Sequence, residues 1–308
     1  MARVRGATDV RLAVARIDDP IGGCLLLLGA MLLFSLSDAS AKYLAQSLPV
    51  LEIGWLRYLT FVLLLAPAAG RARLWSFSSP RPYLQVVRGG GLLASSIFFI
   101  LALRYLPIAD ATATGFVSPL FTTALSIPFL GEKVGIRRWA AVAIGLIGVV
   151  VIVRPGTGSF NPGSIFPILS AACWSVAMVI TRRMSGTDGT LTMLVYAASV
   201  GFLGLTLTLP LVWVTPSLAE LALAGFIGLA SSAGQFLTVK AYRRADASLL
   251  APLSYVQLVW STALGVVIFA TVPDRFTIAG AAIIVASGIY TAHRERIVAA
   301  RRLAGLVD

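Results

Sequence analysis

The chain has 308 residues, 58% of them hydrophobic and 12% charged, with mean hydropathy +0.88 and a formal net charge of +12. A soluble domain carries about 25% charged residues, so an ordinary soluble enzyme, a disordered chain and a fibrous repeat are excluded and a polytopic membrane protein is indicated. The surplus of Arg and Lys reads as loop charge on one side of a bilayer, with no nucleic-acid partner expected.

A bilayer-spanning helix needs about 20 mostly apolar residues. In chain order such runs fall at about 21–43, 50–69, 86–106, 108–130, 136–153, 163–183, 190–213, 217–240, 247–271 and 276–292. They predict an all-α integral membrane protein with ten transmembrane helices, an N-terminal tail over 1–20 and a basic tail over 293–308. The apolar run that follows Met1 to Asp19 is too long for a leader, so these residues read as a retained tail. Of the 25 Lys and Arg residues, all but Lys42, Arg57, Arg104, Arg154 and Arg275 are assigned to the side of the N-terminus, Arg73 and Arg88 among them. That bias predicts both termini in the cytoplasm and an even number of spans. It also reads each loop Arg as topology and not as binding.

The two halves resemble each other. Leu93-Ala94-Ser95-Ser96 recurs as Leu229-Ala230-Ser231-Ser232, and Ala109-Asp110-Ala111 recurs in the same register as Ala245-Asp246-Ala247. Thr123-Ala124-Leu125 recurs as Thr262-Ala263-Leu264, and Phe34-Ser35 corresponds to Trp174-Ser175. Five spans per repeat is an odd number, so the second copy enters the membrane inverted. Inverted repeats are the architecture of many secondary transporters, which bind substrate near the midplane between the copies. The expected units are 21–154 and 155–292.

Several short motifs occur in a characteristic order. They are Asp38-x-x-x-Lys42, Glu52 and Arg57, Arg88-Gly89, Tyr105-Leu106-Pro107, Ser118-Pro119-Leu120-Phe121, Gly131-Glu132-Lys133, Val153-Arg154-Pro155, Asp246-Ala247 and Ala251-Pro252-x-x-Tyr255. With them the chain resembles the EamA-type branch of the drug/metabolite transporter superfamily over about 21–292. The pattern is closest to the subgroup that includes S-adenosylmethionine uptake and bacterial riboflavin transporters. The resemblance implies a carrier in the bacterial inner membrane with a central cavity lined by spans 1–4 and 6–9, spans 5 and 10 standing at the periphery.

Charges within a span are costly, starting at about 2.5–3.5 kcal/mol at a helix centre. Asp38, Lys42 and Arg57 are such charges. Asp38 and Lys42 are spaced i,i+4 with the acid first, which favours pairing, and Asp38 and Arg57 fall at similar depth on neighbouring spans. They read as an ion pair locking the first two spans, or as a gate or substrate-orienting charge. Among polar groups, Ser118, Gln235 and Gln257 are candidates to face the cavity. Phe98, Phe99, Phe121, Trp174, Tyr196, Tyr255 and Trp260 are candidates to stack on a planar or apolar substrate, and Tyr255 and Trp260 correspond to Phe116 and Phe121 of the first repeat. Pro119 and Pro252 are expected to bend the fourth and ninth spans. Gly89-Gly90-Gly91 reads as close helix packing, without the lysine of a phosphate loop.

The expected function is secondary transport of a small organic metabolite by alternating access, with S-adenosylmethionine-like, riboflavin-like and amino-acid-like solutes as candidates. The alternative is a flippase for a lipid-linked small molecule. Cys24, Cys173 and the lone His293 offer no metal cluster or catalytic set, so neither an enzyme nor a cofactor is expected. Gly145, Gly148 and Gly280 leave homodimer formation open.

Overall fold

The computed structural model describes residues 19–71, 79–131, 136–158, 160–184, 188–245 and 247–303. Most of the N-terminal tail, Arg73, Glu132, Lys133, Asp246 and the last five residues of the basic tail lie outside them. The described residues form twelve α-helices and no strand. They are α1 Pro20–Leu44, α2 Val50–Arg71, α3 Pro82–Tyr105, α4 Ile108–Gly115, α5 Ser118–Leu130, α6 Ile136–Val153, α7 Ile165–Met184, α8 Thr190–Thr208, α9 Leu218–Arg244, α10 Ala247–Leu253, α11 Val256–Phe269 and α12 Arg275–Leu303.

The helix ends are marked by local chemistry. The Asp19 carboxylate accepts the Gly22 amide at 2.8 Å ahead of Pro20, which opens α1. Ser217 and Glu220 form a reciprocal capping box at α9. Gly131, in the left-handed region, ends α5. Among the described residues seven helical stretches are long and apolar enough to cross a bilayer, and Trp139–Val153, Val256–Phe269 and Arg275–Thr291 are shorter apolar helices.

The helices pack in reciprocal pairs. α1 lies along α9 as α7 lies along α3, α1 meets α11 as α7 meets α5, and α2 meets α9 as α8 meets α3. α6 and α12 form a pair of their own. Because lipid gives no hydrophobic drive between helices, such seams depend on close approach by small residues. Gly148 and Gly280 show this: a Cβ on Gly148 would lie 2.8 Å from the Gly280 carbonyl oxygen. These glycines are used inside the chain, so the dimer expectation loses the support drawn from them. Gly89 and Gly91 serve the same purpose against Val200 and against the Cys173 carbonyl.

Cross-links collect the turns 45–49, 106–107, 154–158, 160–164, 209–217 and 270–274 at one end of the molecule. Ser47 donates to Glu220 at 2.6 Å, the Val214 amide to Glu52 at 3.0 Å, and Asn161 to the Tyr105 carbonyl at 3.0 Å. The Arg154 guanidinium meets Asp274 at 2.5 Å, and Thr277 donates to Asp110 at 2.9 Å. The largest buried apolar cluster lies towards this end and includes Leu44, Leu48, Ile53, Leu103, Ile108, Ala224 and Ile227. At the opposite end the Asp19 amide donates to the Arg244 carbonyl.

Candidate functional site

Two helix breaks frame the centre of the bundle. The fourth apolar run divides into α4 and α5 at Phe116–Val117, and the ninth into α10 and α11 at Ser254–Tyr255. Sequence reasoning expected bends at Pro119 and Pro252. The structure has full breaks instead, with Pro119 just after the first and Pro252 just before the second. At each break the amides turn back three residues, Val117 to Thr114 and Tyr255 to Pro252, which leaves nearby carbonyls free for other donors. The Ser175 hydroxyl of α7 donates to the Ser118 carbonyl at 2.8 Å. The Ser35 hydroxyl of α1 donates to the Gln257 carbonyl at 3.3 Å. Ser35 corresponds to Ser175 and Ser118 to Gln257 between the repeats, so the two bonds are mates. The Phe116 and Tyr255 rings, also mates, meet with centroids 4.8 Å apart.

Beside these breaks four helices bring polar groups together. Gln257 of α11 donates to Asp38 of α1 at 3.4 Å, and Arg57 of α2 donates to Ser96 of α3 at 3.4 Å. Arg57 is close enough to Asp38 to act on it electrostatically. Among the described residues, however, no ion pair joins Asp38 to Arg57 or to Lys42, which corrects the expected lock between the first two spans. Lys42 turns away to α3. Its ammonium donates to the Leu103 and Leu106 carbonyls at 2.7 and 2.6 Å and lies 5.4 Å from the Phe269 ring centroid. The physical reason is that the last turn of α3 presents unpaired carbonyls at the negative end of its dipole. These compete with Asp38 for the cation.

The remaining predicted residues divide into two groups. Phe121 and Tyr255 pack with Phe116 against one buried cluster, Trp260 packs against another, and Phe99 against the largest. The Trp260 indole N–H is buried without a hydrogen-bond partner. Phe98 lines an apolar cavity of about 320 Å³ between α2, α3 and α8, together with Leu51, Leu93, Ile97 and Leu205. Trp174 is 41% exposed on α7, Tyr196 is buried on α8 and Gln235 is half-buried on α9. No described hydrogen bond or ring contact joins Trp174 or Gln235 to Asp38 or Arg57. Ser96 marked only the repeat in the sequence; the structure places its hydroxyl against Arg57. Arg88, counted with the charges of the N-terminal side although it opens the expected third span, is a buried residue of α3. Its position after several α3 residues was the available signal.

Chemically, the Asp38 cluster presents one carboxylate, one guanidinium, one amide and one hydroxyl, with aromatic rings nearby. Among the described residues no three His, Cys, Asp or Glu side chains gather as a metal site needs. Outside the spans, burial pushes the Asp274 carboxyl up, but the Thr277 amide and the Arg154 guanidinium together hold it below the usual carboxylate range. That group staples the end of the bundle and stands apart from the central cluster.

The EamA-like transporter family model matches this chain twice, over residues 21–154 and 161–292. The chain is 31% identical over 278 residues to a protein named S-adenosylmethionine uptake transporter in Rickettsia prowazekii, covering 89% of this chain and 93% of that one. It is 30% identical to the riboflavin transporter of Vibrio cholerae, covering 87% and 92% of the two chains. It is also 30% identical to the pseudopaline exporter of Pseudomonas aeruginosa, covering 87% and 94%. One solved crystal structure matches with a TM-score of 0.61 at 26% identity, covering 89% of this chain and 98% of that chain. With two matched repeats and similarity running nearly end to end, the chain belongs to the EamA-like transporter family and is a multi-pass membrane transporter of a small molecule, not an enzyme.

Proposed function

We propose that the chain is a secondary carrier that moves a small zwitterionic metabolite across the bacterial inner membrane by alternating access. The favoured solute is of the S-adenosylmethionine or amino-acid kind, with riboflavin-like solutes next. One observation carries this reading. Asp38 and Arg57 lie within electrostatic reach, yet each is hydrogen-bonded to a neutral side chain and not to the other. A solute with an ammonium and a carboxylate satisfies both, and an attached ring finds Phe116 and Tyr255 close to the same breaks. The relative named for S-adenosylmethionine uptake supports the choice.

In this reading the seven long and three shorter apolar helices make ten spans. They form two inverted repeats, 21–154 and 155–292, with both termini cytoplasmic. The reciprocal helix pairs and the mated Ser35 and Ser175 bonds support the inversion. The end that carries the 45–49 turn then faces the periplasm. Asp38, Arg57 and Gln257 orient the solute, and Tyr255, Trp260, Phe99 and Phe121 shape the chamber around it. Ser118, Trp174, Tyr196, Gln235 and Phe98 border the path, and Pro119 and Pro252 hold the breaks open.

The test is counterflow in proteoliposomes with labelled S-adenosylmethionine, riboflavin and amino acids. Saturable exchange of at least one is expected. Hydrogen bonds to charged groups contribute about 1.5–3 kcal/mol, so Asp38→Asn and Arg57→Gln should each lower it roughly 10- to 100-fold while the protein stays folded. Absence of saturable exchange for every solute overturns the proposal. The flippase reading has one observation in its favour, the apolar cavity between α2, α3 and α8. Exchange of a lipid-linked solute alone would select it.

A further inference from the structure

Arg88 is 7% exposed in the second turn of α3, where α3 meets α7 and α8. Its Nε donates to the Thr181 hydroxyl at 2.6 Å and its Nη1 to the Met193 carbonyl at 2.9 Å. Among the described residues no carboxylate pairs with it. A guanidinium offers five N–H donors, so donors remain after these two bonds. Three residues earlier on the same helix face, Gln85 is 0% exposed, and neither its oxygen nor its nitrogen has a hydrogen-bond partner. A buried cation without a counter-charge and a buried amide without a partner are each costly. Here they occupy successive turns.

The second repeat does without them. In the register of Leu93-Ala94-Ser95-Ser96 and its copy, Ala224 stands at the position of Arg88 and Leu221 at that of Gln85. Ala224 is 1% exposed, so the scaffold closes the Arg88 position with an alanine, whereas Leu221 is 46% exposed; a cation at the Arg88 position is not required by the packing. We propose that Arg88 and Gln85 form an oxyanion-binding site, distinct from the Asp38–Arg57 cluster, that takes the carboxylate or phosphate of a soluble metabolite. The free guanidinium donors and the Gln85 amide N–H groups are the recognising groups, and a planar guanidinium matches either oxyanion with two parallel bonds. The site rests on the carrier reading for its access, since the seam must part for the anion to reach it.

The experiment uses the full-length protein in detergent. Thermal unfolding is followed by tryptophan fluorescence during titration with sodium succinate, sodium phosphate or short-chain phosphatidylglycerol at fixed ionic strength. A ligand that binds the folded state raises the unfolding temperature saturably. The expected result is such a rise with succinate or phosphate in the wild type and in Asp38→Asn. It should vanish in Arg88→Gln, and Gln85→Leu should need roughly tenfold more anion. If Arg88→Gln does not fold, Arg88→Lys, which keeps the charge and loses the fork, should show the same tenfold weakening. No rise in either soluble arm, a rise that survives Arg88→Gln or Arg88→Lys unchanged, or a rise confined to phosphatidylglycerol overturns the site. Counterflow on the same preparations separates the two proposals. Exchange without an anion effect removes only the site, and an anion effect without any exchange removes only the carrier reading.

Discussion

The seam where α9 meets α1 and α2 and the seam where α3 meets α7 and α8 are made from corresponding helices, yet at one matched position the first holds an alanine and the second a cation. In the first, Ala224 is 1% exposed in the same apolar cluster as Ala41 and Ile53. In the second, Arg88 stands in the register of Ala224 and Thr181 in that of Ala41, and the guanidinium bonds to Thr181 and Met193. The difference teaches that duplicated halves need not part at equal cost. Separating small apolar residues in lipid forfeits van der Waals contact alone. Parting the Arg88 seam exchanges hydrogen bonds for new partners, which a ligand or water must supply.

The harshest way to break this comparison is to place the cation at the alanine position. Ala224→Arg leaves a charge buried without partners, and a loss of about 3–5 kcal/mol is expected. Folded yield after detergent extraction and the unfolding temperature report it. A variant as stable as the wild type would mean that the two seams are alike after all. The reciprocal change sharpens the point. Arg88→Met replaces a buried, uncompensated cation with an apolar side chain and is expected to leave the unfolding temperature unchanged or higher. Counterflow of an anionic or zwitterionic solute should meanwhile drop about tenfold or more.

Smaller effects test the rest of the duplicated frame. Gly148→Leu drives a side chain into the Gly280 carbonyl and Ile284 across the α6–α12 pair and should cost about 1–3 kcal/mol by overpacking, read as a lowered unfolding temperature. Ser35→Ala and Ser175→Ala each remove one of the mated bonds to a broken helix and should cost about 1 kcal/mol apiece. Clearly unequal losses would show that the mates carry unequal weight. The smallest effect belongs to the Arg154–Asp274 pair, whose carboxylate side is exposed. Asp274 titrates lower in the folded chain than free aspartate does. Its contribution is therefore fully present above the ordinary carboxylate pKa and is lost as pH falls through the depressed value. Asp274→Asn should cost less than about 1 kcal/mol, and the difference from wild type should shrink in acid and in high salt.

Much of the frame was legible in the linear chain. Apolar run length reported where helices cross, because every backbone polar group in hydrocarbon must be bonded within its own segment. The copies of Leu-Ala-Ser-Ser and Thr-Ala-Leu reported the duplication. The candidate site was legible in part. Asp38, Arg57 and Gln257 were recognisable because polar atoms in apolar runs are costly, and the structure brings them to one locus. Lys42 was misread because i,i+4 spacing describes one helix in isolation. The carbonyls of α3 that capture its ammonium lie some sixty residues away in the chain. Arg88 was counted with the charges of the N-terminal side because a basic residue near the start of a span looks the same whether it lies in a loop or under two other helices.

What the residues determined alone is the class of molecule, a duplicated bundle of membrane-crossing helices, since hydropathy and repetition are local properties of the chain. Which charges face each other, where the proline-bearing spans break, and which of two matched seams holds a cation depended on the tertiary arrangement. Those outcomes are settled by competition among partners from different helices, and that competition exists only once the helices are packed.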